Sequence, residues 1–380
     1  MRIAVITFFQ SHDNYGQLLQ CYALQQVLRG LGHRPYLIRY GFHYDFFHWM
    51  KKKNLLTKSG RSETRHQLKL LIHPVKDAHD RGFDEFRKKH LVKSIRCYNS
   101  LAELQRNPPK AECYIAGSDQ VWAQLLSDDD NRVFFLDFGH ETVKRVSYAP
   151  SFAVKDYPDD LKGKLAEQLS RFDSISVREC SGVRICQELG FKATLVLDPT
   201  LLLVANHYKK LVEKPKSAHY CFVYHVNVLS SEELYWNRFS EYNNKKGLLS
   251  VASFANPKYG ENMEFLEDAQ YVYPTIESWL GLIEGAEYVL TSSFHGVVFS
   301  LLFHKPFVVC LRKESQFAGN DRVVTLLEGV GLTDRIMRLD AKAEEMVSNP
   351  IDWERVDTFL NQCRNESMAF LTNSLGQDHN

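Results

Sequence analysis

Apolar positions along this chain change their spacing again and again, and each change marks an element. Residues 3–9 form a short run of β-branched and aromatic side chains, which predicts a strand. After a polar stretch, apolar residues recur at Leu18, Cys21, Tyr22, Leu24 and Leu28, the spacing of a helix over 17–29. Gly30 and Gly32 can end that helix, and 35–40 supplies the next strand. The alternation resumes at 111–116, where a strand is followed by a polar loop and an expected helix. Further strands are expected at 145–148, 174–177 and 193–197, with a helix over 179–189.

The same rhythm returns later. Strands are expected at 220–226, 247–250, 288–291 and 307–311, with helices at 277–284 and 296–303. The segment 352–371 carries Trp353, Val356, Leu360 and Cys363 on one helical face, which predicts a closing helix. Strands alternating with helices predict an α/β fold with parallel sheets. The 380 residues suit two domains of roughly 150–200 residues each. The polar, lysine-bearing stretch 204–218 divides them, giving domains of 1–203 and 204–380. Between about 42 and 95 the rhythm breaks. There Phe42, Tyr44, Phe46, Phe47 and Trp49 mix with Lys51, Lys52, Lys53, Lys58, Arg61, Arg65 and Lys69. This reads as a helical insertion, either a solvated flap or a surface meeting an anionic, lipid-linked acceptor.

Composition changes this picture little. A 44% hydrophobic fraction supports packed cores, and a formal net charge of +1 argues against a nucleic-acid partner. The eight cysteines form no CxxC pair, and several lie in apolar runs, so reduced thiols in a cytoplasmic protein are expected. No run reaches the about 18–20 apolar residues that span a bilayer. A cytoplasmic location is therefore expected, with room for peripheral contact at the inner face of the membrane.

Candidate chemistry sits where strands end. The first loop, Gln10-Ser11-His12-Asp13-Asn14-Tyr15-Gly16, lacks the GxGxxG of a dinucleotide site. Asp13, Asn14 and Tyr15 suit hydroxyl-rich ligands, while Asp13 and Asn14 equally suit a helix cap. Gly117-Ser118-Asp119-Gln120 clusters polar groups at another strand end, with Asp119 a candidate base for a ligand hydroxyl. Arg178 follows a strand directly. Its planar fork fits a carboxylate or phosphate, and an ion pair with Glu179 is the plainer reading.

The richest pattern is Thr291-Ser292-Ser293-Phe294-His295-Gly296, between an apolar strand and an apolar helix. A helix N-terminus favours an anion. Ser292, Ser293 and Gly296 are candidates to cradle a phosphate, and His295 to donate to it or act as general acid. Arg312, Lys313 and Arg322 lie beyond the next strand and are candidates to neutralise a trianionic ligand. No metal-ligand constellation is legible in the sequence.

Taken together, four segments resemble the polysaccharide pyruvyl transferase family. They are Asn14-Tyr15-Gly16 with Leu19-Gln20 and Tyr22-Ala23-Leu24-Gln25; Gly117-Ser118-Asp119-Gln120-Val121-Trp122; Ser176-Val177-Arg178-Glu179 with Leu197-Asp198-Pro199-Thr200; and Thr291 to Gly296. The resemblance implies two Rossmann-like domains facing a cleft, similar to the GT-B glycosyltransferase architecture. It implies transfer of a pyruvyl group from phosphoenolpyruvate to a sugar hydroxyl pair as a cyclic ketal, in cell-surface polysaccharide biosynthesis. Phosphoenolpyruvate would be a co-substrate, with no further cofactor, and the acceptor a saccharide, lipid-linked in some systems.

By the same resemblance, Arg178 and His295 belong to the donor site, with Arg312 or Lys313 as the basic residue after the following strand. Asp13, Asn14, Tyr15, Gly117, Ser118 and Gln120 fall on the acceptor side. Many family members carry arginine and leucine before the histidine. This chain has Ser293 and Phe294, so Arg322 is the candidate to replace the missing cation. Two other functions suit the same pattern: a GT-B glycosyltransferase using a nucleotide sugar, and a non-catalytic glycan-binding protein.

Overall fold

The computed structural model describes residues 1–41, 80–123, 126, 129–215, 218–256, 262–312 and 318–376. Two five-stranded parallel sheets organise the chain. The first contains β1 (Arg2–Ile6), β2 (Arg34–Tyr40), β3 (Lys93–Tyr98), β4 (Cys113–Ala116) and β5 (Lys144–Ser147), in the order β3-β2-β1-β4-β5. A two-stranded parallel pair follows, β6 (Ile175–Val177) with β7 (Ala193–Leu195). The second sheet contains β8 (Tyr220–Val226), β9 (Leu249–Ala255), β10 (Ala269–Tyr271), β11 (Tyr288–Thr291) and β12 (Phe307–Val309), in the order β10-β9-β8-β11-β12. Both orders reverse direction at their first strand, and ligands of such folds bind outside the carboxyl ends of the strands near that point.

The helices that bear on the site are α1 (Tyr15–Gly30), α2 (Phe83–His90), α3 (Cys180–Glu188), α4 (Pro199–Leu202), α5 (Ile276–Gly285), α6 (Phe294–Leu302), α7 (Asp321–Val330) and α8 (Trp353–Leu375). Helix α1 is buried on nearly every side, which fits its place between the two sheets. One apolar cluster runs from Ile3 and Val5 through Tyr15 and Leu18 to Tyr224, Trp279 and Val297, so the two halves share a core.

Tyr15 is the centre of that seam. Its ring stacks on Trp279 with centroids 5.1 Å apart, and its hydroxyl donates to the Pro274 carbonyl at 2.8 Å. Arg81, also buried, donates to the Phe254 carbonyl at 2.7 Å and lies over the Phe254 and Tyr273 rings. Helix α8 closes the molecule. Its Ser367 accepts from the Leu197 amide at 3.0 Å, and its Leu375 carbonyl accepts from Lys144 at 3.3 Å.

The sequence pattern misses edge strand β10 and stops short of the end of β9 at Ala255, and it differs most from the structure in two further places. Residues 42–79 of the expected insertion lie outside the described residues. Its remainder is integral to the fold: α2 buries Phe83, Phe86 and Arg87, and Lys93–Tyr98 is the edge strand β3. The polar alternation Lys93-Ser94-Ile95-Arg96 hid that strand, because an edge strand has little core to face. The helix expected after the Gly117 loop is instead a short 3-10 turn, Asp129–Phe135, whose Phe134 carbonyl accepts from the Trp122 indole. Among the described residues no helix is long and apolar enough to cross a membrane.

Candidate functional site

Four strand-end segments converge at the carboxyl edges of the sheets, and Asp198 ties them together. It stands two residues beyond Val196, which continues from β7, and it is fully buried. Pro199 at the first helical position presets the backbone of α4, and Asp198 caps it by accepting from the Thr200 amide at 3.0 Å. The Thr200 hydroxyl donates to the same Oδ1 at 2.6 Å. Oδ2 accepts from the Ser118 hydroxyl at 2.7 Å and from Arg178 Nη1 at 2.9 Å. His295 Nε2 stands 3.7 Å from Oδ1, within ion-pair range. Burial by itself would push this carboxyl up, yet His295, Arg178 and Thr200 together hold it well below the usual range.

Arg178 is the cation at the centre. Its side chain is buried to 1% exposure, so it is no surface ion pair. Its direct partner is Asp198, with Asp119 Oδ1 3.7 Å from Nη2 and Glu179 Oε2 4.0 Å from Nε. The guanidinium lies over the Phe294 ring at 5.3 Å, and Arg322, from the first turn of α7, lies over the same ring at 5.4 Å. One aromatic ring thus carries two guanidinium groups. Burial, and then Arg178, pull Arg322 down to about 10. Among the described residues these two close cations thus have Asp198 as their one directly bonded carboxylate, with Asp119 and Glu179 at longer range from Arg178.

His295 is held from the opposite half. Gly16 lies so close that a Cβ there would meet His295 Nδ1 at 1.9 Å, which only glycine permits. The first turn of α1 therefore braces the imidazole that the second sheet supplies. Several buried polar atoms around this point have no hydrogen-bond partner: Arg178 Nε and Nη2, His295 Nε2, Arg322 Nε, Ser181 Oγ and Glu179 Oε2. Unpaired groups of this kind are rare in folded proteins, and this cluster of them is the candidate ligand site.

Asp119 adds backbone strain. It adopts φ 85°, and its Oδ1 accepts from the Gln120 amide at 2.8 Å. A non-glycine residue held there costs of the order of ~1–3 kcal/mol, and such strain clusters at functional sites.

The other expected residues take specific places. Asn14 caps α1 through the Gln17 amide at 3.3 Å. Asp13 accepts from the Asn256 amide at 2.9 Å, bridging the halves, and Tyr15 is buried in the seam. Gly117 packs against Val5 and Thr7 of the first-strand region. Ser292 accepts from the Val226 amide at 2.9 Å, Ser293 caps α6 through the Gly296 amide at 3.3 Å, and Gly296 packs on Thr291. The serine pair thus serves the backbone around the site. Arg312 is tied through its main chain to Asn320, at 3.3 Å and 2.9 Å, and Lys313 lies outside the described residues. Sequence reasoning quoted Asp198, Thr200, Phe294 and Glu179 in its motifs but gave none of them a part in the site. The signal was available for Asp198, an acid placed just past a strand and just before Pro199.

A family model for polysaccharide pyruvyl transferase matches residues 14–314 of this chain. The chain belongs to that family. The matched stretch spans all four segments that meet at Asp198 and ends before Arg322. Among curated proteins, none matches the sequence. A Listeria monocytogenes structure, assigned as a UDP-N-acetylglucosamine 2-epimerase, has 9% identity and a TM-score of 0.50, covering 96% of this chain and 90% of its own. The Methanocaldococcus jannaschii UDP-GlcNAc 2-epimerase bound to UDP-GlcNAc and UDP has 14% identity and a TM-score of 0.49, covering 99% of each chain. At such identities the likeness is one of fold, the two Rossmann-like domains of the GT-B architecture.

Proposed function

We propose that this transferase moves the pyruvyl group of phosphoenolpyruvate onto a hydroxyl pair of a saccharide acceptor, closing a cyclic ketal. The observation that carries the reading is the pair of buried guanidinium groups, Arg178 and Arg322, both packed over one Phe294 ring beside His295. A small, strongly anionic donor suits that cluster better than a nucleotide, whose base and ribose need a roomier and less charged hollow.

In this reading Arg178, Arg322 and His295 hold the donor's carboxylate and phosphate. Arg312 and Lys313 remain proposed for the same edge, with Ser292, Ser293 and Gly296 shaping the turn behind His295. Asp119, the most exposed carboxylate of the cluster at 14%, is proposed to take a proton from an acceptor hydroxyl. Ser118, Gly117, Gln120, Asp13, Asn14 and Tyr15 form or support the acceptor wall. Fixed cations and positioned hydroxyls supply the catalysis by orientation and charge stabilisation. A lipid-linked acceptor at the inner face of the membrane is proposed on the same footing.

Thermal-shift titration of the wild type, Arg178→Ala and His295→Ala tests the reading. Phosphoenolpyruvate is expected to raise the wild-type midpoint by mass action and to lose that effect in both variants. A rise with a UDP- or CMP-sugar, and none with phosphoenolpyruvate, would make the protein a glycosyltransferase instead.

A further inference from the structure

The unpartnered atoms around Phe294 differ in kind. Arg178 Nε and Nη2 and Arg322 Nε are donors fixed on cations, and His295 Nε2 is a ring nitrogen. They suit oxygens of a carboxylate and a phosphate. Glu179 Oε2 is different. Among the described residues it is the one buried carboxylate oxygen without a hydrogen-bond partner. Glu179 is 1% exposed and follows Arg178 directly at the carboxyl end of β6. Its other oxygen is fixed, accepting from the Phe152 amide at 2.8 Å, so the carboxyl cannot swing away.

Phosphoenolpyruvate presents one reactive atom that wants a proton, its methylene carbon, beside oxygens that want donors. On the reading of the site given above, we propose that Glu179 is the acid that protonates this carbon. The Glu179 O–H bond breaks and its proton forms the new C–H bond with the double-bond electrons. The adjacent carbon becomes oxocarbenium-like and is attacked by one acceptor hydroxyl. The second hydroxyl then displaces phosphate and closes the ketal. Of the two hydroxyl protons released, one restores Glu179 and the other leaves on inorganic phosphate.

The neighbouring groups leave this task to Glu179. Both oxygens of Asp198 are occupied, by Ser118 and Arg178 on one and Thr200 on the other, and its partners keep it ionised. Asp119 is the less buried carboxylate and already accepts from the Gln120 amide. Arginines do not release protons. His295 is pressed between Gly16 and the Asp198 carboxylate. The charged groups facing Glu179 are Arg178 on its own segment and Arg322 on α7, with Asp119 and Asp198 across Arg178. Burial pushes the Glu179 carboxyl up, against the pull of Arg178, so it retains a proton to higher pH than a solvated glutamate. Once it has given the proton, the same two arginines stabilise the carboxylate.

The test compares wild type, Glu179→Gln and Glu179→Asp. Each is assayed for phosphate release from phosphoenolpyruvate with methyl galactoside, methyl glucoside or water as the attacking hydroxyl. Products formed in D2O are analysed for deuterium in the new methyl group. Glu179→Gln is expected to keep the phosphoenolpyruvate-dependent thermal shift and to lose turnover by about 10²-fold or more. Glu179→Asp should recover part of it. The wild-type rate should fall as pH rises through the titration of Glu179, and the residual Glu179→Gln rate should lack that limb. Turnover of Glu179→Gln within threefold of wild type, or an unchanged alkaline limb, would overturn the assignment. A wild type that phosphoenolpyruvate does not stabilise would instead sink the pyruvyl-transfer reading on which this rests.

Discussion

At the scale of single residues, Asp198 is the side chain on which the site depends. It joins Arg178, Ser118, Thr200 and, at longer range, His295. Asp198→Asn keeps the shape but removes the charge, leaving Arg178 buried without its direct counter-ion. Breaking a buried pair in this way typically costs about 3–5 kcal/mol. Urea denaturation should show a loss of that order, together with loss of the phosphoenolpyruvate thermal shift. A second residue makes a separate prediction. His225 lies buried on β8 among Phe254, Phe265 and Tyr271, and burial lowers it to about 3. The unfolded chain therefore takes up a proton below about pH 6.5 that the folded one refuses until about pH 3. Stability falls as pH drops through that window, by about 2 kcal/mol between pH 6.5 and 5. His225→Phe should remove this part of the acid sensitivity, read as a smaller shift in urea midpoint between pH 7 and pH 5.

At the scale of elements, the seating of α1 explains both what the sequence disclosed and what it concealed. Strands β8 and β11 could be read to the residue because their apolar runs, at 220–226 and 288–291, are buried except for the half-buried Val226. Edge strand β3 could not be read, since its exposed residues carry no periodicity tied to a core. The site was legible as a set of strand-end motifs, Arg178 and His295 among them. What joins those motifs was not, because Asp198, Phe294 and Gly16 meet their partners only across the fold. Gly16 shows this most sharply. Its neighbours in sequence suggest a helix start, and only the packing places His295 Nδ1 where its Cβ would be. Gly16→Ala is therefore expected to displace the imidazole and lower turnover at least tenfold. Gly30→Ala, at the open end of the same helix, meets nothing within 4 Å and has no positive φ. It should stabilise the protein by about 0.5–1 kcal/mol and leave turnover intact. Equal effects of the two substitutions on kcat would refute the brace.

At the scale of the whole molecule, the question is whether the halves open independently or as one body. Their seam is a core rather than a wet contact. Tyr15 from the first half stacks on Trp279, meets Tyr224 edge-on at 5.6 Å and bonds to Pro274, all from the second half. Burial raises its hydroxyl to about 12, so no accessible pH ionises and loosens it. Asp13 and Arg81 add polar ties on either side, and α8 returns from the far end of the chain to Leu197 and Lys144. Such continuity favours a single cooperative unfolding transition, since neither half can lose its core without exposing the other's. Tyr15→Ala should remove about 3–5 kcal/mol, the usual result of deleting a large buried aromatic side chain. More tellingly, calorimetry should then resolve two transitions where the wild type shows one. Tyr15→Phe keeps the ring and loses the hydroxyl's bonds to Pro274 and Arg81, so it should stay single and fall by about 1–2 kcal/mol. The same seam positions Gly16 against His295, one residue further along α1. Loosening it should therefore reduce donor binding in Tyr15→Ala even at temperatures where both halves remain folded. A Tyr15→Ala protein that unfolds in one step and keeps the wild-type phosphoenolpyruvate shift would show that the halves are coupled elsewhere, through α8.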